Sequence, residues 1–111
     1  MERIAGGVTA AKGFTAAAVA AGIKYRDRKD MAMIYSQSPC RAAGVFTRNV
    51  VKAAPVLWDK EIVGKMGPVH AVVVNAGIAN ACTGKEGYEA CGRTAGAAAK
   101  ALGIGKRQVL V

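Results

Sequence analysis

The sequence predicts an α/β fold, on three observations. Ala71–Val74 is apolar and contains three consecutive valines, the pattern of a buried strand. A turn follows through Asn75, Gly77 and Asn80, residue types that tolerate φ > 0. Tyr88, Cys91, Ala95, Ala98 and Leu102 then recur at steps of 3, 4, 3 and 4, the period of one helix face. Thr83 stands three residues before Glu86, which fits a capping box at the helix start, and Gly103 suits the stop. Val69–Gly84 with Lys85–Gly103 is therefore a strand, a glycine-rich turn and a capped helix. The free N–H groups at such a helix start can hold an anion or an oxyanion.

The other elements follow along the chain. Met1–Lys12 contains Gly6-Gly7, a turn or loose terminus. Gly13–Ile23 is compatible with a helix through its alanines and with a strand through Val19 and Ile23. Tyr25–Asp30 is a charged turn and Met31–Ser36 a strand. Gln37–Arg41, with Pro39, reads as a turn, Ala42–Thr47 as a strand hairpinned to Met31–Ser36, and Asn49–Val56 as a third element that Pro55 ends or places at an edge. Trp58–Lys65 fits a short helix, and Met66-Gly67-Pro68 breaks the chain before the central strand. Gly105–Gln108 is a polar turn, and Gln108–Val111 opens another apolar strand without a closing turn, as if the polypeptide were longer or a companion completed it.

With 111 residues the chain holds one domain at most, read here as residues 1–111 of a single incomplete one. Hydrophobic residues make up 52% and aromatics only 5%, so alanine and the 14 glycines occupy space that large side chains usually fill. Backbones must then pack closely, or another chain must complete the core. Sixteen basic against seven acidic residues give +9, which suits a solvated basic surface, an acidic small substrate or an acidic partner. Nucleic acid fits less well, because the charges are scattered except in Lys24–Lys29, where Tyr25 alone could stack on a base. Cys40, Cys82 and Cys91 are odd in number and form no CxxC pair, which points to buried free thiols and to neither a disulfide framework nor a zinc site. Gly13–Ile23 is too short to span a bilayer and lacks a strongly basic leader, so the chain is read as soluble and cytoplasmic, with no membrane partner.

Few residues offer chemistry. Asn75-Ala76-Gly77 after a valine strand is reminiscent of short-chain dehydrogenases, but the N-terminal half has no GxGxxG and no Tyr-x-x-x-Lys follows that strand. His70 is the sole histidine and has no carboxylate placed beside it, so a triad lacks support. The acids form no obvious general acid/base pair. Cys82 precedes a helix start, the setting in which thiols become reactive, but equally fits a small buried filler. Thr83 and Gly84 combine a cap with a second capacity: a hydroxyl and an N–H at a positive helix end can both face a developing oxyanion. Gly92, Gly96 and Ala99 form a small-residue ridge, which implies close approach of another element.

Three blocks, Gly7–Lys24 (GVTAAKGFTAAAVAAGIK), Ala42–Val56 (AAGVFTRNVVKAAPV) and Val72–Gly87 (VVVNAGIANACTGKEG), resemble in order the N-terminal part of the arginine-biosynthesis glutamate N-acetyltransferase, also called ornithine acetyltransferase. The resemblance covers nearly the whole chain. It implies an α/β fold of layered sheets with flanking helices, and so a strand at Gly13–Ile23. It implies an enzyme that moves acetyl from N-acetylornithine to glutamate, with acetyl-CoA as a second donor in bifunctional members and no other cofactor or metal. It also implies self-cleavage into α and β chains, a nucleophilic N-terminal threonine on β, an acetyl-threonine intermediate and an (αβ)₂ heterotetramer or larger. The family's Thr-Gly oxyanion hole falls on Thr83 and Gly84. The family often has Asn-Ser-Gly-Asn where this chain has Asn75-Ala76-Gly77-Ile78, which affects turn hydrogen bonds. On this reading the nucleophile and most substrate contacts lie beyond Val111, the remaining α and β polypeptide is the partner, and this part alone is inactive. The contrasting reading is a noncatalytic basic module that binds an anionic ligand or nucleic acid at the helix N-terminus.

Overall fold

Four strands and two helices account for the ordered core of the computed structural model, which describes residues 2–111. Strands β1 (Phe14–Val19), β2 (Met31–Arg41), β3 (Pro68–Asn75) and β4 (Val109–Leu110) form one sheet in that spatial order. β1, β2 and β3 are antiparallel neighbours, and β4 is parallel to β3. Helices α1 (Ala54–Gly64) and α2 (Gly84–Leu102) cover one face of the sheet, and α2 is the crossover between β3 and β4. The α/β expectation thus holds, with one sheet and one helical layer among the described residues. Among the described residues no helix is long and apolar enough to cross a membrane.

Register decides which residues enter the core. Tyr35 pairs with Ala71 and Met33 with Val73, so alternate residues of β2 and β3 share the helix-covered face. Val69, Ala71, Val73 and Val109 pack there against Ala54, Trp58 and Ile62 of α1 and Cys91, Ala95, Ala98 and Ala99 of α2. The small-residue ridge is where α2 meets its neighbours: a Cβ on Gly92 would lie 3.5 Å from the Trp58 ring and 3.1 Å from Lys106 Nζ. Five of the eleven buried core residues are alanines, so small side chains take much of the space that bulk would fill.

Several expected elements differ. β1 is shorter than Gly13–Ile23, and five of its six residues are exposed because the helices do not reach it. The turn at Gln37–Arg41 does not form; β2 runs through it. Pro39 lies in the register shift between Tyr35 and Cys40, so its missing N–H removes no bond from the β2–β3 ladder. Ala42–Thr47 is not a strand and makes no hairpin with β2, since β1 and β3 already occupy both edges of β2. Val45 in that segment is fully exposed. Asn49–Val56 is not a third element either: α1 begins at Ala54, four residues before Trp58, and Pro55 sits in its first turn, where no N–H partner is needed. The final strand shortens to Val109–Leu110 behind a 3-10 turn, Lys106–Gln108. Of the thiols expected to be buried, Cys91 is buried, Cys40 half-buried and Cys82 exposed.

A polar cluster braces the two helices against the 3-10 turn. The Tyr88 hydroxyl donates to Glu61. Lys65 Nζ donates to Glu61 Oε1 at 2.9 Å and Arg107 Nη1 to Oε2 at 3.1 Å. The Tyr88 bond first, then Lys65 and Arg107, hold the Glu61 carboxyl at about 2, below its ordinary 4.5. A carboxyl lowered in the folded state stabilises fully above its unfolded value and loses that contribution as pH falls through the folded one. The melting temperature of the full-length protein should therefore exceed that of Glu61→Gln by a constant margin above about pH 5, and the margin should shrink between about pH 4.5 and pH 2. A margin independent of pH would show that the carboxylate charge contributes nothing.

Candidate functional site

β3 delivers the chain to the start of α2 through eight irregular residues, Ala76–Thr83. Asn75 Nδ2 donates to the Ile78 carbonyl at 2.8 Å, so the bond uses the backbone and not the side chain at position 78. Ala76 N–H donates to the Asp30 carbonyl at 2.8 Å, which ties the turn to the β1–β2 connection. The Asp30 side chain organises that connection by accepting from the N–H groups of Ala21 at 2.6 Å and Ile23 at 2.7 Å. Burial raises the Asp30 carboxyl, but the backbone donors around it outweigh burial and leave it below its usual range. Gly77, with φ of 101°, lets the Lys24 stem cross the turn; a Cβ there would come 2.7 Å from Lys24 Cβ.

The second half of the turn is strained. Asn80 has φ of 48° and Cys82 of 58°, left-handed conformations that cost a non-glycine residue about 1 kcal/mol or more. Gly84 follows with φ of 55°. Such outliers persist where the surroundings over-determine them, and they concentrate at functional sites. Their effect here is to present Thr83 and Gly84 side by side, both exposed, at the N-terminus of a 19-residue helix. The Gly84 N–H is one of the helix's first four, which have no intrahelical partner.

The expected capping box is not made. Thr83 precedes α2 with φ of −96° and ψ of 2°, outside the extended region a side-chain cap requires, and forms no cap bond. Its hydroxyl instead donates to the Asn80 carbonyl at 2.9 Å. That carbonyl also accepts from the Ala54 N–H at 3.1 Å, so one oxygen joins the starts of both helices. Gly87, one turn into α2, is buried beneath the Thr83 side chain. A backbone carbonyl has no signature in sequence, and nothing marked Asn80 beyond its turn preference. The glycine at 87, one turn past the cap, was the available signal for a close approach.

Cys82 lies exposed in the turn beside Thr83, and the remaining candidates lie elsewhere. His70 sits near the opposite end of β3, with Nδ1 2.9 Å from the Ser36 carbonyl and its ring stacked on Tyr35. Burial pushes the Cys91 thiol up. Tyr25, the one aromatic in the basic run, is covered by the Arg28 guanidinium at 3.9 Å. Among the described residues no group of three or more His, Cys, Asp or Glu could hold a metal ion.

Residues 15–111 match the ArgJ family. This chain belongs to the ArgJ family. It is 53% identical over 110 residues to the arginine biosynthesis bifunctional protein ArgJ of Gloeobacter violaceus, covering 99% of this chain and 27% of that protein. With the Streptomyces coelicolor protein of the same name identity is 54% over 105 residues, covering 94% and 27%. The chain thus spans about a quarter of the length of these ArgJ relatives. The fold matches the crystal structure of ArgJ from Bacillus halodurans with a TM-score of 0.89 and 40% identity over 96% of this chain and 55% of that one. It matches ornithine acetyltransferase of Mycobacterium tuberculosis, solved with ornithine, at 0.82 and 47%, covering 95% and 57%.

Proposed function

We propose that this chain is the N-terminal portion of the α chain of a glutamate N-acetyltransferase, and that it supplies the oxyanion hole. The enzyme moves acetyl from N-acetylornithine to glutamate in arginine biosynthesis, in the cytoplasm, with acetyl-CoA as a second donor in keeping with the bifunctional name of the relatives. The nucleophilic threonine comes from the rest of the polypeptide, at the new N-terminus of the β chain, in a heterotetramer of α and β chains. Its hydroxyl attacks the acetyl carbonyl and ornithine leaves; glutamate then takes the acetyl group from threonine. At each step the carbonyl oxygen becomes an oxyanion, and Thr83 Oγ1–H and Gly84 N–H donate to it.

The observation that carries this reading is the placement of an exposed hydroxyl and an N-terminal helix N–H on adjacent residues behind a strained turn. The Asn80 carbonyl adds to it. When the Thr83 hydroxyl turns from Asn80 to the oxyanion, the carbonyl keeps the Ala54 N–H and is not left unpaired. The exchange is therefore cheap. The net charge of +9 has the sign that draws in anionic glutamate.

Intact-mass analysis and N-terminal sequencing of the purified full-length protein test the assignment. A second chain beginning with threonine is the expected result. A single uncleaved polypeptide with acetyl-transfer activity would overturn the N-terminal-threonine mechanism.

A further inference from the structure

We propose that Gly87 is a positioning residue for Thr83, and that its missing side chain sets the rotamer of the catalytic hydroxyl. The inference rests on the oxyanion reading of Thr83 and extends it to a residue that touches no substrate. A Cβ built on Gly87 would overlap Thr83 Oγ1 and lie 2.8 Å from Thr83 Cβ, so the Thr83 side chain occupies the volume that any other residue at 87 would fill. The contact of the same Cβ with Ala54 Cβ, at 3.3 Å, needs only a few tenths of an ångström of give. Gly92, the other buried glycine of α2, differs: its Cβ would meet the flexible end of Lys106, which can move aside.

The Thr83 side chain is thereby held from two directions. Its hydroxyl is anchored on the Asn80 carbonyl, which Ala54 N–H also holds. Its body lies over the bare Cα of Gly87, next to Ala54 at the start of α1. Glycine is a poor helix former, and its presence inside the first turns of α2 needs a reason of this kind. Alanine at 87 favours the helix but overlaps Thr83 Oγ1 and lies 2.8 Å from Thr83 Cβ, which no χ1 change moves, so Thr83 turns to another χ1 and shifts with its backbone, off Asn80 and away from the Gly84 N–H. Misplacing a catalytic donor by about 1 Å can lower a rate about 100-fold.

The test is a four-point cycle in the full-length processed enzyme: wild type, Gly87→Ala, Thr83→Gly and the double variant, each assayed for acetyl transfer from N-acetylornithine to glutamate. Gly87→Ala should lower kcat by about 10- to 100-fold with KM changed less than about threefold. Once the Thr83 side chain is removed, the same substitution should change kcat by less than about twofold. Wild-type kcat in Gly87→Ala, or an equal loss in both backgrounds, would overturn the inference and leave the oxyanion reading standing. Wild-type kcat in Thr83→Gly would instead reject the oxyanion reading itself. If Gly87→Ala does not accumulate as processed enzyme, the double variant decides: recovery on removing the Thr83 side chain supports the steric link, and failure of both variants overturns it.

Discussion

Thr83→Ala in the full-length enzyme is expected to lower kcat for acetyl transfer by about 10²- to 10³-fold, the scale for losing one oxyanion donor. The melting temperature should barely move, and the geometry accounts for this separation. Thr83 makes no side-chain cap to α2, so no helix-start bond is lost. The side chain is exposed, so little apolar contact disappears. Its one hydrogen bond goes to the Asn80 carbonyl, which retains the Ala54 N–H. Stability should therefore change by about 0.5 kcal/mol or less, as at other surface positions. Thr83→Ser keeps the hydroxyl and should retain most of the rate. Steady-state kinetics beside thermal melting of the three proteins checks the prediction. Full activity in Thr83→Ala would reject the oxyanion role, and a fall in activity that tracked a fall in melting temperature would point to a structural one.

Local signals were legible where local physics decides. The valines of β3, the 3-4 spacing of α2 and Gly103, with φ of 68°, all act over one strand or a few helical turns, and each formed as read. The readings that failed depend on remote partners. Pro39 signals a break, but a bulge between two paired strands absorbs it. Ala42–Thr47 has strand-like composition, and the sheet leaves it no free edge beside β2. The Thr83–Glu86 spacing permits a capping box, but the strained turn through Asn80 and Cys82 brings Thr83 in at the wrong ψ. The candidate site divides the same way. Thr83 and Gly84 are recognisable as residue types at a helix start, and Thr83 over Gly87 is a contact within the first turn of α2, whereas the Ala54 bond to the Asn80 carbonyl exists only once α1 has packed beside α2.

Trp58→Ala should be the most destabilising single change, because Trp58 is where that packing is centred. The side chain is 2% exposed, lies 5.5 Å from the Tyr88 ring and supports the Arg107 guanidinium at 4.3 Å. Its Nε1–H donates to the Val109 carbonyl at 3.0 Å, joining α1 to β4. Emptying this space should cost about 3–5 kcal/mol through lost burial and the cavity left behind. Val109 is fully buried, so its carbonyl cannot turn to water, and leaving it unpaired costs about 1–3 kcal/mol. Trp58→Phe separates the two effects by keeping much of the ring while deleting the donor. Its loss should stay near the hydrogen-bond figure, so packing carries the larger share if the melting temperature falls at least twice as far in Trp58→Ala. Equal falls would assign the effect to the Val109 bond. Because α1 begins at Ala54, whose N–H holds the Asn80 carbonyl, loosening this helix should also lower kcat in whatever Trp58→Phe enzyme remains folded.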